Sequence, residues 1–441
     1  MSEAAANTAS QPDTIGGEAQ GETVTVTQPV HPYVHVVVVA VIGAVAVLAW
    51  LVVYSTVNKL LWENAFVLAN PWMFPVICLP FSLLVGLLVK YRNAPTMLGE
   101  SMLDSLSGDV SKIDWRGLPI NIVMAWASLF SGAVLGPEGG IGGISSKVAA
   151  LYGERVGIPL EHRSRLVFST LASAYNGLVA NPLFTGVLGV ELIADPVAKT
   201  RNLPATLIGG SIGYLIFAAA GSTGLEDYLH LPTAATYAPA DVLVVVLAGL
   251  GGLILALIGG ALFQAAVAIF SRFEGREVER ALAAGVVFSV VGIVAPIVMF
   301  SGETQIKTIS ADPASYGAGV LLLMAIVKLA LLAVAFKSGF LGGPTFPAIF
   351  ASVCVALAIS LLLPGVSAVV LIGGFMAGFL TVLFKAPLMV VLLTVVMLQA
   401  DPQLTALIVL AVAAVLVALP YVTAALAALR ARRGSAADEA A

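Results

Sequence analysis

The amino-acid sequence predicts an all-α polytopic membrane protein built from two inverted-topology repeats with broken and re-entrant helices. Hydrophobic residues make up 59% of its 441 residues and charged residues only 10%, and the mean hydropathy is +1.01. This composition excludes an ordinary soluble domain. Apolar runs of about 18 to 25 residues, the length of a membrane-spanning helix, recur along the chain. A glycine-rich pattern interrupts two of them.

The two ends of the chain differ from its apolar body. Residues 1–32 are polar and acidic and contain no Lys or Arg, which predicts a disordered tail and not a secretory signal. Basic residues follow the last apolar run directly, which places the C-terminus in the cytoplasm by the positive-inside rule. They are Arg430, Arg432 and Arg433. The sequence therefore predicts a transmembrane domain over 33–430, a short tail over 431–441 and no cytoplasmic regulatory domain.

Helical runs fill most of the transmembrane domain. In chain order they are predicted at 33–58, 66–90, 117–135, 139–153, 165–192, 204–220, 241–271, 280–300, 316–337, 346–363, 366–384, 387–399 and 403–429. Several are too short or too broken to span a bilayer alone. Irregular backbone at membrane depth is stable only where protein buries it or where it lines a cavity. The segments 221–239 and 302–316 are polar enough to be aqueous loops.

A seven-residue pattern marks corresponding points of the two halves. Ser131-Gly132-x-x-x-Gly136-Pro137 returns 207 residues later as Ser338-Gly339-x-x-x-Gly343-Pro344, and Asn181-Pro182-Leu183 returns at nearly the same offset as Ala386-Pro387-Leu388. Glycine and proline are common in transmembrane helices, but two matches in register indicate a duplication. The repeats are assigned to about 33–220 and 241–430. Broken segments at corresponding points are typical of transporters whose substrate binds between two repeats.

Each copy of the pattern is followed by a predicted helix start inside the membrane. The first backbone N–H groups of a helix beginning at Gly139 have no partner, and the peptide dipoles place about half a positive charge there. Such an end binds anions without a basic side chain. Pro344-Thr345-Phe346-Pro347 is a second helix start, with Pro347 suited to the first turn. Two such ends facing each other predict a positive but uncharged site for a small anion.

Glu138 stands at the opening of this predicted anion site. A carboxylate inside an apolar, glycine-rich segment is costly and indicates a function. Glu138 is itself an anion tethered where the substrate binds, so it predicts a gate that works by competition. Protonation of Glu138, or its displacement by the anion, opens the path. The structural alternative is a carboxylate that only caps the helix.

These motifs resemble those of the CLC family of chloride channels and proton/chloride antiporters. Gly136-Pro137-Glu138-Gly139-Gly140 resembles the G-R-E-G-P motif, and the segment from Ser338 to Pro347 resembles the S-G-x-x-G-G-I-F-A-P filter, with Phe346 one position later than the family's aromatic residue. Both Pro-Leu steps resemble the family's A-P-L steps. The likeness covers residues 35–430.

The resemblance implies a CLC-type fold and roles for particular residues. Glu138 matches the gating glutamate, and Tyr421 matches the inner-gate tyrosine or else belongs to the interfacial aromatic belt. The residues expected around the anion are Gly136, Gly139, Gly140, Thr345, Phe346, Asn93 and Tyr421. The resemblance also implies a homodimer with one pathway in each subunit, multi-pass in the cell (inner) membrane, on a divergent bacterial-type branch.

Three positions depart from the family pattern. The family's serine lies three residues before a proline, but the run here is Tyr91-Arg92-Asn93-Ala94-Pro95. Arg92 is expected to face the cytoplasmic mouth and Asn93 to lie closer to the ion. The internal proton glutamate lies ten residues after the first A-P-L proline, where this chain has Leu192, with Glu191 one residue earlier as a possible proton path. Pro137 replaces the family's arginine beside the gating glutamate.

The function predicted from these features is a CLC-type chloride channel that moves chloride or another small inorganic anion. Leu192 favours channel-like flux over proton-coupled antiport, which remains the first alternative. A cation-coupled solute transporter is the second, and it predicts more acidic residues at the midplane than Glu138 and Glu191. Nucleic-acid binding is excluded by the net charge of −4 and the lack of a basic patch. No enzymatic motif, metal site, disulfide or cofactor is expected.

Overall fold

The computed structural model describes residues 32–99, 110–193, 195–221 and 237–438. Within these ranges the chain forms α-helices joined by turns and short 3-10 segments, with no β-strand. The helices are α1 (Pro32–Trp62), α2 (Ala65–Ala69), α3 (Met73–Arg92), α4 (Leu118–Phe130), α5 (Glu138–Arg155), α6 (Leu160–Ala174), α7 (Pro182–Leu192), α8 (Pro196–Ala219), α9 (Ala240–Phe270), α10 (Glu277–Val294), α11 (Glu303–Ala311), α12 (Ala318–Lys337), α13 (Thr345–Leu362), α14 (Ala368–Phe384), α15 (Pro387–Leu398) and α16 (Pro402–Asp438).

Among the described residues, seven helical segments are long and apolar enough to cross a bilayer, which supports the prediction of a polytopic membrane protein. They are Tyr33–Ala69, Met73–Arg92, Pro196–Ala219, Ala240–Phe273, Ala318–Lys337, Thr345–Leu362 and Pro402–Ala428. Helices α7, α14 and α15 are also apolar but shorter. Several apolar segments are therefore short helices interrupted by turns, as the sequence predicts.

Helix packing shows the two-fold relation between the halves. In the first half α1 packs on α6, and in the second half α9 packs on α14; likewise α6 packs on α8, and α14 on α16. Elements that correspond across the halves also pack on each other, as α3 does on α10 and α7 on α15. A two-fold axis between the repeats gives this arrangement, which supports the predicted duplication.

Several boundary predictions differ from the structure. The run predicted at 165–192 is two helices, α6 and α7, separated by a 3-10 turn at Tyr175–Gly177. Residues 302–316 were predicted as an aqueous loop, but Glu303–Ala311 is a helix, α11, which begins after Gly302 in a left-handed conformation. Helix α16 continues to Asp438, so the part of the predicted tail up to 438 is helical. Most of the predicted loop at 221–239 and nearly all of the predicted N-terminal tail lie outside the described residues.

Candidate anion site

The two copies of the glycine pattern meet at the centre of the fold. Gly136 N–H donates to the Gly343 carbonyl at 2.8 Å, and Gly343 N–H donates back to the Gly136 carbonyl at 2.8 Å. This antiparallel pair joins equivalent positions of the two repeats. A second connection runs from Met97, whose N–H donates to the Phe340 carbonyl at 2.9 Å and whose carbonyl accepts from Gly342 at 2.8 Å. The broken backbone is thus satisfied by protein, as membrane depth requires.

Glu138 lies where the N-termini of α5 and α13 converge. Only 4% of the residue is exposed, and its Oε1 accepts a hydrogen bond from the Thr345 backbone N–H at 3.2 Å. The Thr345 hydroxyl and the Phe346 N–H also face the carboxylate. The other oxygen, Oε2, has no hydrogen-bond partner among the described residues. The prediction that both helix starts approach one point is confirmed, because one hydrogen bond links them.

Glycines at this point leave space for the Glu138 carboxylate. A Cβ atom added at Gly136 or Gly343 would overlap the carboxylate, and one added at Gly139 would lie 2.9 Å from the Gly342 carbonyl oxygen. No side chain fits at these three positions without displacing Glu138 or the backbone. The glycines therefore allow a carboxylate, or an anion in its place, to approach two helix ends at once.

Gly140 has a different environment from the other predicted site glycines. A Cβ atom there would lie 2.9 Å from Ala125 and 3.0 Å from Trp50. This glycine therefore permits close packing of α5 against α4 and α1, and its open face does not adjoin the Glu138 carboxylate. Gly140 was predicted to lie around the anion, but in the structure it serves the packing of helices.

Tyr175 is a buried polar contact of the site that sequence reasoning missed. Its hydroxyl donates to the Glu138 backbone carbonyl at 3.1 Å, and the ring is buried. The hydrogen bond links the end of α6 to the first turn of α5. The signal in the sequence is the polar pair Tyr175-Asn176, which interrupts the apolar run 165–192.

Two residues that were predicted to contact the anion, Tyr421 and Asn93, do not lie at the enclosed Glu138 carboxylate. Tyr421 lies on α16 with 75% of its surface exposed, whereas the Glu138 carboxylate is enclosed, so Tyr421 does not line this site. Asn93 is also exposed and ends α3 in a left-handed conformation (φ 47°). The next residue, Ala94, donates its N–H to the Leu88 carbonyl at 3.2 Å. Arg92 is exposed as well, and its place at the cytoplasmic mouth stays a prediction.

Glu191 holds the start of α15 in the second repeat. Its Oε1 accepts from the Leu388 N–H at 2.9 Å and its Oε2 from the Met389 N–H at 2.6 Å. The equivalent helix α7 is capped by its own Asn181 side chain, but the matching Ala386 has no side-chain oxygen. Glu191 supplies the missing cap across the repeat boundary. The structure thus gives this carboxylate a capping contact where the sequence suggested a possible proton path.

Replacing Glu191 with alanine should destabilise the protein without changing its response to a proton gradient. The two N–H groups of α15 lose their acceptor, which costs about 1 kcal/mol in comparable helix caps. Thermal unfolding in detergent measures this loss, and Glu274→Ala, at an exposed position, is the matched control. Equal stabilities of the two variants would contradict the capping role.

Relatives with similar sequences are known from enteric bacteria. The chain is 25% identical over 374 residues to YfeO of Escherichia fergusonii, covering 79% of this chain and 84% of the relative. It is 26% identical over 333 residues to YfeO of Escherichia coli, covering 71% and 74%. The name of these relatives assigns them provisionally to ion transport.

Solved structures share the fold at low sequence identity. A slow cyanobacterial Cl⁻/H⁺ antiporter aligns with a TM-score of 0.73 and 18% identity, over 88% of this chain and 94% of that one. A CLC-type fluoride/proton antiporter aligns with a TM-score of 0.69 and 18% identity, over 87% and 94%. The family profile described as voltage gated chloride channel matches residues 81–419. Since this match covers most of the chain, the protein belongs to the voltage gated chloride channel family, the CLC family of integral membrane ion-transport proteins.

Proposed function

We propose that this protein moves chloride or another small inorganic anion across the cell membrane, and that Glu138 is its gate. The observation that carries the proposal is the hydrogen bond from the Thr345 N–H to the Glu138 carboxylate. It puts a negative group at the meeting point of two helix N-termini. The same N–H groups and dipoles bind a free anion when the carboxylate leaves.

The chemistry of the site suits an ion that must also leave. No lysine or arginine side chain contacts the Glu138 carboxylate in the described residues. The attraction for an anion therefore comes from partial charges, which bind less tightly than a fixed cation. Binding of this kind is a requirement for rapid passage. Protonation of Glu138 removes its attraction to the Thr345 N–H and frees the position.

Passive, channel-like flux is the preferred mode of transport. Leu192 carries no proton, and the neighbouring Glu191 is engaged by two backbone N–H groups of α15. Proton-coupled exchange is the second candidate, and one observation favours it: a second carboxylate, Glu303, interacts electrostatically with Glu138. A cation-coupled solute transporter is a further alternative, distinguished by a requirement for Na⁺.

The assembly and orientation follow from the family resemblance and from the charge pattern. We infer a homodimer with one pathway in each subunit and with the C-terminus in the cytoplasm. The arginines at 430, 432 and 433 support this orientation by the positive-inside rule. Mass determination in detergent tests the dimer, and labelling of a cysteine placed after 438 tests the orientation.

Anion efflux from proteoliposomes tests the proposed function. Vesicles loaded with chloride should lose it in the presence of the protein, and protein-free vesicles should not. A pH gradient should fail to drive chloride uphill if flux is passive. Robust uphill movement would replace the channel by the antiporter, and the absence of any efflux of chloride, fluoride or nitrate would reject anion transport.

A further inference from the structure

Lys328 is a buried lysine on the apolar helix α12, and the sequence does not indicate which group it contacts. It is fully buried, and its ammonium nitrogen donates to three backbone carbonyls, those of Val298 at 3.1 Å, Met299 at 2.9 Å and Phe300 at 2.8 Å. Three donated hydrogen bonds use all three protons of a charged ammonium group, whereas a neutral amine has only two. The surroundings of Lys328 therefore fit the charged form.

The segment that receives Lys328 also touches the candidate anion site. Phe300 N–H donates to the Gly132 carbonyl at 3.4 Å, in the first copy of the glycine pattern. Phe300 has φ 62°, a costly conformation for a bulky residue that persists only where its surroundings hold it. The Lys328 nitrogen also lies 4.5 Å from the centre of the Phe350 ring. Phe350 belongs to α13, one turn or so after the N-terminus that contacts Glu138.

A cavity of about 670 Å³ reaches the same segment. Phe300, Ser301 and Glu303 line it, together with residues of α1, α2 and α10. Its polar and charged lining residues are Ser55, Asn58, Lys59, Glu63, Ser301, Glu303, Thr304 and Gln305. A cavity with this lining is large and polar enough to hold water, so it can bring protons to Glu303.

Glu303 is half-buried at the start of α11 and directly follows Gly302, where an added Cβ atom would lie 3.1 Å from the Lys328 nitrogen. The start of α11 therefore packs against the buried ammonium group, and the charges of Lys328 and Glu138 both act on the Glu303 carboxyl. Helix α11 is not one of the candidate membrane spans. Desolvation and the Glu138 carboxylate raise the pKa of Glu303 to about 7, against the opposing effects of Ser301 and Lys328. Together, the carboxylates of Glu138 and Glu303 and the ammonium group of Lys328 carry a net charge of −1. The three side chains become neutral as a set when they bind one proton. Like charges at one site favour uptake of that proton.

We propose that Glu303 and Lys328 form a charge pair that sets the pH at which the Glu138 gate opens, and that protons reach the pair through the cavity. The inference rests on the proposed role of Glu138 as a gate. A negative Glu303 makes Glu138 easier to protonate, and Lys328 keeps Glu303 negative by opposing its protonation. The other ionisable groups near this cluster, in the cavity or beside Glu138 and Lys328, are Lys59, Glu63, Tyr175 and Cys354.

Two substitutions should lower the pH midpoint of anion efflux, by different amounts. Glu303→Gln removes a negative charge beside Glu138, so the midpoint should fall by about one pH unit or more. Lys328→Met removes the positive charge at similar volume, so Glu303 stays protonated to higher pH and the midpoint should fall by less than in Glu303→Gln. Glu303→Asp keeps the carboxylate and should stay close to the unaltered protein. Glu63→Gln is the matched control, because it neutralises an acid of the same cavity that no described contact joins to Glu138 or Lys328.

The outcomes separate this inference from the proposed function. An unchanged midpoint in Glu303→Gln, or an equal shift in Glu63→Gln, overturns the charge pair while leaving the Glu138 gate intact. If Glu138→Ala keeps the normal pH response, the gate itself is wrong and the inference falls with it. Lys328→Met leaves three carbonyls without a donor, so it is informative only if it folds; Glu303→Gln decides the question without it.

Thermal unfolding in detergent gives a second measurement that needs no transport. A carboxyl group whose pKa is raised in the folded state contributes stability at low pH that is lost as the pH rises through about 7. Glu303→Gln abolishes this loss, so its unfolding temperature relative to the unaltered protein should increase from pH 5 to pH 8. A constant difference across that range would contradict the assigned environment of Glu303.

Discussion

Glu138→Ala should increase anion efflux by about tenfold, which corresponds to a gate that is closed roughly nine-tenths of the time in the unaltered protein. Without the carboxylate, none of the described side chains competes with the anion for the Thr345 N–H. The efflux should also lose its dependence on pH, because the group that takes up the proton is absent. Chloride efflux from proteoliposomes between pH 5 and pH 8 measures both effects.

Glu138→Gln and an exposed acid provide the controls. Glutamine keeps the size of the side chain but is neutral at every pH, so it should behave like the protonated gate, with high and constant efflux. Glu161→Ala, at an exposed position on α6, should change neither property. Normal efflux and a normal pH response in Glu138→Ala would reject competition between Glu138 and the anion.

Gly343→Ala should also open the gate, although it adds a group instead of removing one. The new methyl group overlaps the Glu138 carboxylate and should push it away from the α13 N-terminus. Efflux should therefore rise and its pH dependence weaken, at a cost in stability of about 1 to 3 kcal/mol from overpacking. The same proteoliposome assay, with thermal unfolding alongside it, records the two effects.

A double substitution makes this second prediction specific. In Glu138→Ala the carboxylate is absent, although the Cβ atom at 138 still lies 2.6 Å from the added methyl group. Adding Gly343→Ala should therefore change neither efflux nor pH response further, and should cost less stability than it does alone, but not zero. Gly260→Ala on α9, where an added Cβ meets nothing within 4 Å, is the matched glycine control. Additive effects of the two substitutions would show that Gly343 acts on the backbone and not on Glu138.

Sequence periodicity and repetition were sufficient to predict the architecture. Hydropathy and run length indicate membrane helices, and the glycine pattern repeated at a fixed offset indicates equivalent broken points. Local rules then placed the helix starts, since Pro137 and Pro344 precede them directly. A carboxylate beside such a start is visible in one sequence, so Glu138 could be found without a structure. These properties follow from local sequence and from its repetition along the chain.

Contacts between distant segments could not be obtained in this way. Glu191 is nine residues after Pro182, which suggested a proton path, but its carboxylate caps a helix that begins almost 200 residues later. Tyr175 contacts Glu138 through a turn between α6 and α7 that no local rule predicts. Tyr421 matched a motif position, yet its helix presents it on the exposed surface.

The sequence by itself determined that this chain is a duplicated membrane protein with two helix starts and one acidic residue at the first of them. Only the tertiary structure decided that Glu303 and Lys328 share an electrostatic environment with Glu138, and that Met97 completes the backbone around the site. The physical reason is that helix formation and hydropathy are local properties of the chain. The energy of a buried charge depends on which distant groups surround it after folding.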